Sequence, residues 1–165
     1  MKIHQLTDGD RVSATLKWAE TEACGGLPVE VNVSSLREGD LIITIIHESK
    51  IVADFLCNDA NLFYTDMCKL TEKKVSRTIF PITCAHKGSL CIHQHLTGQA
   101  QCYQNDAFIL LDVGHEAPDD NPLDALFTLI FAREQLKQLV WTLNRGLMSL
   151  GKDPDDLRRK TYHDR

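Results

Sequence analysis

The stretch from Asn121 to Gly151 constrains this chain more than any other: it carries the start and stop signals of one helix and more apolar surface than one helix face can hold. Asn121 is a good N-cap, Pro122 suits the first helical position, and Asp124 puts a carboxylate where the helix dipole favours it. Gly151 supplies the C-terminal stop. Between these signals Leu123, Leu126, Phe127, Ile130, Phe131, Leu136, Leu139, Val140, Leu143, Leu147 and Leu150 recur at spacings of three and four, with Leu129 and Trp141 off the stripe. The pattern predicts a single helix over 122–150, roughly 43 Å long at 1.5 Å per residue, against about 40 Å for the diameter of a compact domain of this length. Its first third is apolar nearly all round, so it needs a sheet and a neighbouring helix, or a second subunit, to cover it.

The segment before it changes period several times. Residues 7–23 fit two patterns. Thr7 and Asp10 have capping-box spacing and Val12, Leu16, Ala19 and Ala23 line one helical face, whereas Val12, Ala14, Leu16 and Trp18 also alternate strictly with polar residues. The run from Ala19 to Ala23 favours the helix, ended by Gly25-Gly26. Val29, Val31 and Val33 then alternate as a strand with one wet face, Leu41 to Ile46 is a β-branched run, and Ile51 to Cys57 completes an antiparallel meander. Asn58-Asp59 offers an N-cap for a short helix to Thr71. Val75 to Thr83 reads as an edge strand because of Pro81, Leu90 to Gln104 as a hairpin turning at Thr97-Gly98, and Ala107 to Val113 as the last strand. No internal repeat is visible. The predicted fold is α+β: an antiparallel twisted sheet with an N-terminal helix, a short central helix and a long C-terminal helix packed on it, in one domain over 1–151 with a polar tail over 152–165.

At 165 residues with 43% hydrophobic content the chain has ample material for a core. A net charge of −5 argues against a general nucleic-acid binder, although a small nucleic-acid-binding regulator stays open as an alternative. Neither a signal peptide nor an apolar run long enough to insert in a membrane is present, so a soluble, cytoplasmic protein with reduced thiols is expected. Phosphate loops, serine elbows and His-Glu-x-x-His motifs are missing, and no catalytic residues or cofactor are expected. The one dense cluster of reactive types runs from Cys84 to Cys102. On a strand Cys91, His93 and His95 would share a face, with Cys102 on the return strand, a set of thiolates and imidazoles that zinc takes. The spacing matches no usual zinc signature, so zinc binding is an alternative to a metal-free protein.

The order of elements and some local phrasing resemble the class I type III secretion chaperones, the Tir-chaperone-like family of small acidic cytosolic bacterial proteins that hold effectors for export during virulence. The resemblance covers roughly residues 10–150. It lies in Leu16, Trp18 and Ala19 ahead of Gly26-Leu27-Pro28, in Ala60-Asn61-Leu62-Phe63 opening the central helix, in Thr97-Gly98 with Asp112, and in Trp141 on the closing helix. It implies a non-enzymatic homodimer formed through Leu62, Phe63, Met67 and Leu70, and an extended effector segment bound against Leu16, Trp18, Val29, Val31, Val33, Ile43 and Ile45. A peptide adding to a sheet in this way uses edge hydrogen bonds and pockets for alternate side chains.

Overall fold

Strand after strand in this chain buries every second residue, and the alternation runs through segments that also read as helix. The computed structural model describes residues 4–5, 11–18, 26–35, 41–57, 59–87, 90–92, 96–116 and 124–149. Its described strands are β1 (His4–Gln5), β2 (Val12–Trp18), β3 (Leu27–Ser35), β4 (Leu41–His47), β5 (Lys50–Cys57), β6 (Arg77–Ile82), β7 (Cys84–Lys87), β8 (Leu90–Ile92), β9 (Leu96–Tyr103), β10 (Phe108–His115) and β11 (Asp124–Ala132). Two helices, α1 (Ala60–Thr71) and α2 (Arg133–Ser149), complete the described elements. All the strands belong to one antiparallel sheet ordered β6-β9-β10-β11-β2-β3-β4-β5-β7-β8, with β1 attached to β3.

The sheet closes on itself through one bent segment. Ile82 pairs with Leu96 of β9, whereas Cys84 pairs with Leu56 of β5, and between them the Thr83 N–H donates to the Leu56 carbonyl at 3.0 Å. Residues 77–87 are therefore shared by both ends of the strand order. The halves of the ring have matching connectivity. A four-strand meander, β2 to β5, leads into α1; a second, β6 with β9, β10 and β11, leads into α2. Each meander joins the other by pairing its last strand with the other's first, β11 with β2 and β5 with the β6–β7 segment. This two-fold likeness of topology has no counterpart in the amino-acid sequence.

The concave side of the sheet and the helices share one core. Val29, Val31, Val33, Ile43, Ile45, Phe55, Ile109, Leu111, Phe127, Leu129 and Phe131 all point into it. The Asp59 carboxylate caps α1 by accepting from the Leu62 N–H at 3.0 Å. Residues 63–70 of that helix are buried in every direction, so it is enclosed and not merely laid on a sheet face. Helix α2 buries the stripe Leu136, Leu139, Thr142, Leu143 and Leu147, and its outer face carries Glu134, Lys137 and Trp141. Rings tie the halves together: Phe63 lies 4.8 Å from Phe80 and 6.4 Å from Phe55, which in turn lies 6.3 Å from Phe127.

The predicted fold class is overturned. No N-terminal helix and no helix over 122–150 exist among the described residues: 12–18 is strand, and 124–132 is strand followed by a helix that starts at Arg133. The physical reason is in the apolar surplus itself. Phe127, Leu129 and Phe131 face the core while Leu126, Thr128 and Ile130 lie half-buried on the other face, as in a strand between neighbours. Leu129, which falls off the helical stripe, is fully buried. Thr97-Gly98 is likewise no turn; both residues lie within β9. Gly98 is there because the Phe80 ring occupies its side-chain space, with Phe80 Cε2 2.2 Å from where a Cβ would stand.

Candidate functional site

The residues singled out from the sequence for partner binding are mostly interior. Leu16, Val29, Val31, Val33, Ile43 and Ile45 are all buried in the core. Trp18 is half-buried, edge-on to Phe127 at 6.1 Å with the Lys87 ammonium 5.1 Å from its ring. Of the four residues expected at a dimer contact, Phe63, Met67 and Leu70 are enclosed with α1 and only Leu62 is partly accessible. The apolar surface of these buried residues is used within the chain.

The sequence-derived metal set is divided. His93 and His95 lie outside the described residues, and of Cys91 the backbone in β8 is described. Cys102 belongs to β9, where its N–H donates to the Ser76 carbonyl at 2.9 Å and its Sγ lies 3.5 Å from Arg133 Nη2. Cys91 pairs instead with His86. Some ten residues of the 77–87 segment therefore separate the two cysteines, roughly 30 Å of extended chain. Burial, reinforced by a hydrogen bond with Asp106, pushes the Cys102 thiol above its ordinary value against the opposing pull of Arg133. The Arg133 guanidinium serves structure here, donating to the Leu70 carbonyl at 3.0 Å and the Asp106 carbonyl at 2.7 Å and so pinning α1 and the β9–β10 turn to the start of α2.

The surface offers two features of chemical interest. The first is a groove of about 410 Å³ at the β6–β9 end of the sheet, lined by Ile79, Phe80, Pro81, Ile82, Thr83, Leu96 and Thr97. Phe80, Ile82 and Leu96 are buried in its floor, while Ile79 is 54% exposed. Among the described residues β6 pairs only with β9, which leaves the backbone groups of its other side unladdered. Pro81 has no N–H to donate and suits such an edge. Periodicity identified β6 as an edge through Pro81, but not the groove, because Leu96 and Thr97 are brought beside it only by strand pairing.

The second feature is a polar row across the convex face. Successive pairings place Asn32 beside Thr44, Thr44 beside Asp54, and Asp54 beside His86. Their neighbours Ala53, Phe55 and Ala85 point inward, so Asp54 and His86 point out. His86 Nδ1 and Asp54 Oδ1 are 2.6 Å apart, with side-chain exposures of 42% and 28%. On the other half of the ring Thr128 donates to Asp112, whose carboxyl burial pushes above its ordinary value and the Thr128 hydrogen bond draws back. A further groove of about 540 Å³ is lined by Arg11, Glu30, His47 and Glu48, with Arg11 paired to Glu30 at 2.9 Å. No helix among the described residues is long and apolar enough to cross a membrane.

No family model, curated protein or solved structure matches the chain.

Proposed function

We propose that this chain works without chemistry of its own, by holding an extended apolar segment of a partner protein along the β6–β9 end of its sheet, in the manner of a secretion chaperone. The observation that carries the reading is the groove beside β6. An apolar floor of Phe80, Ile82 and Leu96, a half-exposed Ile79 and a strand laddered on one side together fit a guest strand. Such a guest meets backbone donors and acceptors along the edge and places every second side chain in the groove. A folded guest would not fit a feature this shallow, whereas an extended one stays threadable. The role that the resemblance assigns to Val29, Val31, Val33, Ile43 and Ile45 passes to Ile79 and its neighbours, and it does not depend on a second copy of the chain.

The test is a tiled array of 15-residue peptides, with affinities of the hits measured by fluorescence anisotropy on the wild-type chain and on Ile79→Asp. Peptides with apolar residues at alternate positions should bind, and the variant should weaken them about 10- to 100-fold. That corresponds to losing the roughly 1.5–3 kcal/mol that burial of one aliphatic side chain contributes. Hits that bind Ile79→Asp as tightly as wild type would refute the groove, and an array without hits would refute the function.

A further inference from the structure

The free edge of β6 carries a backbone pattern that has a direction. The Cys102 N–H donates to the Ser76 carbonyl at 2.9 Å, which makes Ser76 and Cys102 a hydrogen-bonded pair, and bonded pairs alternate along an antiparallel ladder. The next residues bonded to β9 are therefore Thr78, Phe80 and Ile82, opposite Ala100, Gly98 and Leu96. Arg77, Ile79 and Pro81 turn their backbone groups the other way. The Thr83 N–H fixes the sense, since it reaches the Leu56 carbonyl of β5 on that side. β5 itself pairs with residues 84–87 only, and among the described residues nothing is laddered to Arg77, Ile79 or Pro81 on this edge. Arg77 and Ile79 each offer an N–H and a carbonyl there, and Pro81 a carbonyl alone.

We infer, on the reading of this groove as a guest-strand site, that the guest is an apolar segment ending in an acid and running antiparallel to β6, with an apolar residue opposite Ile79 and a carboxylate two residues C-terminal to it, opposite Arg77. Every pairing in the sheet is antiparallel, and a guest in this direction prolongs the line of β5. The guest residues facing Ile79 and Arg77 each exchange two hydrogen bonds with them, whereas the one facing Pro81 can only donate.

Facing residues share a side of the sheet. On the outer side stand Ile79, 54% exposed, and the Arg77 guanidinium, which donates to the neutral Gln99 amide oxygen at 3.1 Å. A guest carboxylate would give Arg77 a charge-assisted bond in place of a neutral one, and a guest cation there would be repelled. On the inner side, the guest residues one and three places N-terminal to the partner of Ile79 face Phe80 and Ile82 in the groove floor. The apolar half of the guest thus precedes its acid.

The experiment measures, by fluorescence anisotropy on the full chain, the labelled peptide Val-Thr-Val-Val-Thr-Glu-Thr and its reversal Thr-Glu-Thr-Val-Val-Thr-Val. The forward peptide should bind about 10-fold tighter, because only it sets apolar residues on the floor and the acid on Arg77 together. An N-methyl group on its fourth residue, whose N–H meets the Ile79 carbonyl, should weaken binding at least about 5-fold, and one on its fifth residue, whose N–H points away from β6, less than about 2-fold. Arg77→Gln should weaken the forward peptide about 2- to 5-fold and leave a version with Gln in place of Glu unchanged. Pro81→Ala adds the missing donor and should tighten binding about 2- to 10-fold, a gain that misfolding cannot produce. Equal affinity for the two peptides, or tighter binding of the reversal, would overturn the direction and leave the groove standing. Equal effects of the two N-methyl groups, or no gain in Pro81→Ala, would overturn the ladder. If neither peptide binds while hits sensitive to Ile79→Asp are found in the peptide array, the guest class is wrong; if both are missing, the groove reading fails with it.

Discussion

Replacing Gly98 by alanine tests the closure of the sheet at one atom. The added Cβ would lie 2.2, 2.5 and 2.8 Å from Cε2, Cζ and Cδ2 of Phe80, far inside contact distance. The ring cannot simply swing away, because it is buried and its other side meets Phe63 at 4.8 Å between centroids. Overpacking of a tight core costs about 1–3 kcal/mol, and disrupting the Phe63–Phe80 edge contact adds about 0.5–1.5 kcal/mol. A total of about 2–4 kcal/mol is expected, read as a lower urea midpoint with an unchanged slope in two-state unfolding. In a chain of this size it should lower Tm by roughly 4–16 °C. Phe80→Leu removes the obstructing ring at a cost of its own, so the double variant should be more stable than the sum of the singles by at least about 1 kcal/mol. Gly98→Ala within about 0.5 kcal/mol of wild type, or strict additivity with Phe80→Leu, would refute the close approach and with it the pairing of β6 on β9.

Two further outcomes check other parts of the structure. Leu129→Ala should cost about 2–5 kcal/mol in urea unfolding, because its side chain is fully buried, whereas Trp141→Ala should stay within about 0.5 kcal/mol because that ring is 64% exposed; equal effects would contradict a strand followed by a helix. The Asp112 carboxyl is raised in the folded chain by burial, so its ionisation disfavours folding: the charged form is absent below the unfolded value, and stability is lost as pH rises through the interval between the unfolded and folded values. Asp112→Asn, which can still accept from Thr128, should therefore gain on wild type between pH 4 and pH 7 in urea midpoint, and an equal difference at both pH values would show that burial does not control this group.

Much of the first half was legible from pattern. Val29 to Ser34, Leu41 to Ile46 and Ile51 to Cys57 are strands in β3, β4 and β5, and the Asp59 cap and the extent of α1 are where capping and periodicity place them. The two mistaken helices have one cause. Val12, Leu16 and the residues around Phe127 satisfy a period of two and a spacing of three or four at once, and short apolar runs do not decide between them. Helix signals at Asn121, Pro122 and Asp124 then gave a plausible start to an element that begins only at Arg133. Likewise Thr97-Gly98 carries turn chemistry, yet Gly98 answers to the ring of Phe80, contributed by another strand.

The candidate sites divide along the same line. Cys84, His86 and Cys91 stood out within a reactive cluster by composition, but Asp54 could not be connected to His86, and Cys102 could not be separated from the cluster, without knowing which strands are neighbours. The groove depends on Leu96 lying beside Ile82.

Local chemistry along the chain is sufficient to make a strand-rich domain with an enclosed apolar helix: alternation sets which side chains turn inward, and caps set where α1 begins. Which strands become neighbours was decided only in three dimensions. Backbone hydrogen bonds are indifferent to sequence separation, so the pairing of β11 with β2 and the sharing of residues 77–87 between two sheet ends follow from covering a common core. The groove beside β6 is built on that shared segment.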